Sequence, residues 1–170
     1  MMSDKTHEQN KKEPAQSVLS KSLLIGFVAG ALWGAIGVLA YYFHFTQISA
    51  ASFIFRSYFQ TSWTGTWLGE VLAVIVVALL SIITAFIYYM CLKRKNGMWP
   101  GVFLAVTLFV LIFVILDPLF PAVPGIMDLS SDTLVTTGCL FLLYGVFIGY
   151  SISYEYNQFN HSANNYSKEG

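Results

Sequence analysis

Four stretches of the 170-residue chain are long, nearly uncharged and apolar on every side. Crossing the roughly 30 Å of bilayer hydrocarbon takes about 20 such residues as helix, and a helix that is apolar all round has no polar face to offer water. The sequence therefore predicts an all-α, polytopic membrane protein, a bundle of four transmembrane helices at about 23–43, 67–92, 99–116 and 133–153. The first span is uncharged and leaves through Tyr41, Tyr42 and Phe43, aromatic residues that favour the headgroup level. The second holds a single charge, Glu70, near its start. The third is the shortest, about 27 Å at 1.5 Å per residue; it opens with Pro100 in a tolerated first-turn position and stops at Asp117-Pro118. The fourth is followed by Tyr154 and Tyr156, with Ser131 or Asp132 expected as its cap.

Composition agrees with this reading. Only 11% of residues are charged, against about 25% in a soluble domain. Nine basic and nine acidic residues cancel, which removes the basic footprint of a nucleic-acid binder. The two cysteines, Cys91 and Cys139, are too few for a disulfide framework, sit at opposite depths and are expected as small apolar fillers. The first span is longer than a signal-peptide core, and its small residues are scattered, so it is expected to be retained.

The basic residues orient the chain. Lys5, Lys11, Lys12, Lys21, Lys93, Arg94, Lys95 and Lys168 fall in the two tails and the short connection between spans two and three, and only Arg56 falls elsewhere. Both tails are therefore expected in the cytoplasm, as disordered polar segments over 1–20 and 157–170 flanking a membrane domain over 21–156. The connections at 44–66 and 117–132 then face outside. In the first, Ile48, Ser52, Phe55 and Phe59 recur at helical steps, predicting a short interfacial helix, with a re-entrant segment as the alternative. In the second, Pro118, Pro121 and Pro124 predict an extended, polyproline-like path turning at Pro124-Gly125.

Small residues supply the clearest packing pattern. Gly26, Gly30 and Gly34 repeat every fourth residue in the first span, and Gly145 and Gly149 do so in the fourth. Such ridges let helices in lipid approach closely, and the first and fourth spans are expected to pack on each other through them, with a homodimer seam as the alternative. Trp33, mid-span, is expected to fill space against a neighbouring glycine face. Glu70, an ionisable group within a span, is a functional candidate by default, and Arg56 is its expected partner, with Asp117 competing. These three residues define a candidate polar site. No metal-ligand spacing, nucleotide-binding loop or nucleophile motif occurs, so no enzyme activity, cofactor or metal is expected.

The Lys-rich tail running into Gly26-Phe27-Val28-Ala29-Gly30-Ala31-Leu32-Trp33-Gly34 resembles the YqhR family of small membrane proteins from Bacillus and related Firmicutes. Phe55-Arg56-Ser57, Trp67-Leu68-Gly69-Glu70 and Trp99-Pro100-Gly101 carry the same resemblance, over roughly residues 20–155. It implies a four-span protein of the bacterial cytoplasmic membrane and carries over no active site. Two functional classes are expected from the residues: a structural or scaffolding component acting through helix packing and outer loops, or a small oligomeric transporter or channel component with charged residues at an outer vestibule. The expected partners are the lipid bilayer and either a second copy or another membrane protein.

Overall fold

The computed structural model describes residues 15–59, 61–92 and 99–166, and the described residues are helical, without strands. Four helices form the body: α1 (Ala15–Tyr42), α2 (Trp67–Leu92), α3 (Trp99–Val110) and α4 (Ser131–Tyr166). Three of them contain stretches long and apolar enough to cross a membrane, Val18–Tyr42, Trp67–Cys91 and Ser131–Phe159. α3 runs on through a π-helical turn, Leu111–Ile115, giving a shorter apolar helix over Trp99–Ile115. It ends at Leu116, which leaves helical geometry at φ −92° and ψ 0° while its N–H reaches back to Leu111 O at 2.9 Å; Pro118, two residues on, has no N–H with which to continue the ladder.

Each helix end has a local cause. α1 closes in a Schellman motif: Phe45 N–H bonds Ala40 O at 2.9 Å and His44 N–H bonds Tyr41 O at 3.0 Å, with His44 in the left-handed region at φ 61°. Glycine usually takes that position; here histidine does, and the chain turns back toward the bundle. α2 starts on Thr66, whose carbonyl accepts from Gly69 and Glu70. At α4 the expected cap is corrected. Ser130, not Ser131 or Asp132, accepts from Thr133 N–H at 3.3 Å, and α4 continues past Ser153 to Tyr166, through residues expected to be tail. α1 likewise begins within the segment expected to be disordered. The basic turn at 93–98 and most of the N-terminal tail lie outside the described residues.

The helices associate as two close pairs. A Cβ on Gly30 would lie 2.5 Å from Ser81 Cβ and 2.7 Å from Ala78 Cα, and one on Gly26 would lie 2.5 Å from Ala85 Cβ. The α1 ridge therefore faces α2. On the other side, a Cβ on Gly145 would lie 2.5 Å from Gly101 O, and one on Gly149 would lie 2.6 Å from Gly101 Cα. α1 and α4 do pack on each other as expected, but not ridge to ridge: each glycine run closes on the neighbour of its own helix in the chain, α1 on α2 across the 43–66 connection and α4 on α3 across the connection ending at Ser130. A Cβ on Gly34 would meet Val74 and Val77 at ordinary distances, 3.4 and 3.7 Å. The pairs join chiefly along α1 and α4, with Gly37 against Leu140, and also through Ser81 and Tyr88 of α2 reaching α4.

Two apolar clusters fill the bundle. Ala29, Ala85, Tyr88, Leu104, Ile148 and Ile152 form one, with Trp33 packed against it. Ile48, Phe113, Val123 and Leu129 form the other, beneath the two long connections. Around Phe113, the rings of Phe53, Phe109 and Phe141 stand 5.5, 4.8 and 6.2 Å away, and Phe120 meets Phe53 at 5.2 Å, spacings at which aromatic pairs attract. The proline segment is pulled into this cluster. Instead of an extended path it forms a 3-10 turn at Asp117–Leu119 and hydrogen-bonded turns at Phe120–Val123 and Gly125–Asp128. Large apolar side chains such as Leu24, Leu79, Ile83, Phe103 and Val135 point outward along the helices. Cys91 and Cys139 are free and exposed, which corrects their reading as fillers.

Candidate functional site

The site lies where the first long connection folds onto the start of α2. Residues 48–52 are the buried part of that connection, and a π-helical turn at Ser52–Arg56 follows. Ser57 Oγ donates to Ser52 O at 2.8 Å and fixes the end of the turn. Arg56 leaves it toward the first turn of α2, where Glu70 sits with its side chain only 4% exposed. Its Nη2 lies 2.6 Å from Glu70 Oε1. A carboxylate in the first turn of a helix also faces the positive end of the helix dipole.

Neutral groups hold both partners in place. Ser49 Oγ donates to the same Glu70 Oε1 at 2.8 Å, and Ser49 N–H donates to Ser52 Oγ at 3.2 Å. Arg56 Nε donates to Thr64 O at 3.3 Å, and Nη1 donates to Tyr41 Oη at 3.2 Å and to Ser52 Oγ at 3.3 Å. The guanidinium carbon lies 5.1 Å from the centre of the Tyr41 ring, within cation–π range. Thr64 belongs to a 3-10 turn, Ser62–Gly65, that presses on α2; a Cβ on Gly69 would lie 2.7 Å from Thr64 O. The ion pair thus ties the end of α1, the connection and the start of α2 into one unit. Glu70 Oε2 is buried and has no hydrogen-bond partner among the described residues.

The structure brings Arg56 and Glu70 together and leaves Asp117 out. Asp117 is half-buried in the second long connection, in the 3-10 turn that follows α3, and makes no ion pair among the described residues. The sequence reading missed Ser49, Ser52, Thr64 and Tyr41. A signal was present: polar residues in a loop otherwise rich in Phe, Ile and Ala must bond something when buried. An open cleft of about 500 Å³, lined by Tyr41, Tyr42, His44, Thr46 and Gln47, opens beside Tyr41.

Further along the bundle the polar groups bond one another. Ser81 Oγ lies 2.6 Å from both Gly26 O and Tyr144 Oη, and Tyr88 Oη lies 3.2 Å from Gly149 O and 3.1 Å from Ser153 Oγ. Between Glu70 and Ser81 the buried face of α2 carries Ala73 and Ala78, so the polar groups form no continuous line. Among the described residues no group of His, Cys, Asp and Glu is placed to hold a metal ion. At the far end Lys21 Nζ and Glu155 Oε2 form an ion pair at 3.5 Å.

Helices with apolar perimeters, closed by glycine contacts and carrying one largely buried ion pair among the described residues, define a helical membrane protein. The family model described as "Conserved membrane protein YqhR" matches residues 2–167. The chain is 41% identical over 165 residues to a Bacillus subtilis (strain 168) protein described as "Uncharacterized protein YqhR", with 94% of this chain and 92% of that protein covered. The chain belongs to the YqhR family of conserved membrane proteins. No solved structure matches it.

Proposed function

We propose that the chain crosses a bacterial cytoplasmic membrane four times, with both ends in the cytoplasm, and acts as a structural component through its lipid-embedded faces and outer connections. The observation that carries this reading is that Arg56, Ser49, Ser52, Tyr88, Ser81 and Tyr144 all bond within the bundle, leaving Glu70 Oε2 and Trp33 Nε1 as the buried side-chain atoms without a partner among the described residues. The glycine contacts of α1 with α2 and of α3 with α4 leave no room for a path between those helices. Eight of the nine basic residues falling on the expected cytoplasmic side supports the orientation. α3 with its π turn is about 26 Å long at 1.5 Å per residue, enough to cross when neighbouring helices and local thinning of the bilayer accommodate it.

The test is affinity purification of the full chain from its own membranes in mild detergent, after brief cross-linking, beside flux measurements in proteoliposomes. A membrane protein or a second copy recovered in stoichiometric amount, with no ion flux above empty vesicles, is the expected result. An ion flux carried by the wild type and abolished by Glu70→Gln would replace this reading with transport.

A further inference from the structure

The Arg56–Glu70 pair is incomplete in a specific way. A guanidinium has five N–H donors, and four of Arg56's bonds are made: to Thr64 O, Tyr41 Oη, Ser52 Oγ and Glu70 Oε1. One Nη2 hydrogen remains. On the carboxylate, Oε1 accepts twice, from Ser49 and Arg56, while Oε2 accepts nothing among the described residues although it is buried. The pair therefore has one spare donor and one spare acceptor. A buried carboxylate oxygen left without a donor is costly, and Arg–carboxylate pairs frequently use both oxygens in a parallel fork.

We propose that this pair is a binding site for a single internal water molecule, which donates to Glu70 Oε2 and accepts from the remaining Arg56 Nη2 hydrogen. Charge selects a neutral ligand. A cation at Oε2 would face the guanidinium already on Oε1, and a proton there would leave Arg56 as an uncompensated charge in a mostly buried setting. Two polar partners meet the minimum for a buried water, and such a bridge is nearly as favourable as a direct bond. Arg56 retains 23% exposure, so the water exchanges with the surface at the loop end and not through the bundle. This site stands on the geometry of the ion pair and does not depend on the structural role proposed for the whole protein.

The test exploits the chain's two arginines, Arg56 and Arg94. Full-length protein labelled with ¹⁵N-arginine is reconstituted in liposomes and its guanidinium groups are read by solid-state NMR, with Arg94→Lys giving the assignment. Expected are separate, slowly rotating Nη signals for Arg56 with a cross-peak to a bound water. Hindered Arg56 signals without a water cross-peak overturn the water site while leaving the ion pair. Freely rotating signals overturn both.

Discussion

Glu70 was readable as a candidate because a carboxylate within an apolar span is conspicuous, and Arg56 followed as the one basic residue on its side. Their pairing at 2.6 Å is the outcome. Asp117 was an equally good partner on charge alone; what separates the two acids is the fold of the connection, which a linear sequence does not display. Removing one member of a buried pair leaves the other unpaired, at about 3–5 kcal/mol, and the partial exposure of Arg56 places this pair at the lower end. Arg56→Gln and Glu70→Gln are each expected to destabilise by about 3 kcal/mol, and the double variant by clearly less than the sum, in a double-mutant cycle measured by unfolding in mixed micelles. An additive cycle would show that the two do not interact. Ser49→Ala, which removes one bond to Glu70, is expected to cost about 1 kcal/mol in the same assay. Lys21→Gln at the opposite end loses an exposed pair and should change stability by less than about 0.5 kcal/mol.

At the scale of elements, the spans were legible because length and hydrophobicity suffice to define them, and the glycine ridges were legible as packing surfaces. Which ridge meets which helix was not. Spacing says that a helix has a close-approach face, whereas the partner depends on how the long connections fold neighbouring helices together, and the structure sets Gly26 and Gly30 on α2 and Gly145 and Gly149 on α3. The two irregular turns escaped for a related reason. Leu111–Ile115 and Ser52–Arg56 are π-helical, and their apolar side chains, Phe113 and Phe53, meet edge to face at 5.5 Å. Both turns thus meet in a contact between segments distant in sequence, and Phe120, packed on Phe53, holds the proline segment to the same cluster. Glycines therefore divide into two kinds. Gly145→Ala puts a methyl 2.5 Å from Gly101 O and should separate α3 from α4, lowering stability by about 2 kcal/mol as an overpacked contact. Gly138→Ala, on the same helix with nothing within 4 Å, should be neutral or stabilising by up to about 1 kcal/mol from helix propensity. Equal losses at the two positions, measured by thermal unfolding in detergent, would contradict the assigned contacts.

For the whole molecule, the scarcity of charge marks a membrane protein and the placement of the few charges orients it, but neither fixes how many times the chain crosses. Three helices are long enough on composition and length, and α3 with its π turn is shorter. The number of crossings turns on α3. If it crosses, the two ends of the chain share a compartment; if it does not, they lie on opposite sides. The direct measurement is labelling of single cysteines by a membrane-impermeant thiol reagent in intact cells, in a chain whose Cys91 and Cys139 are replaced by serine. Positions are added at Met127, which is 94% exposed in the second long connection, and in each terminal segment, at Ser3 and Ser167. Labelling from outside at Met127→Cys, with Ser3→Cys and Ser167→Cys reacting only after the cells are opened, is expected of the four-span bundle. External labelling of one terminus with protection of the other would contradict it.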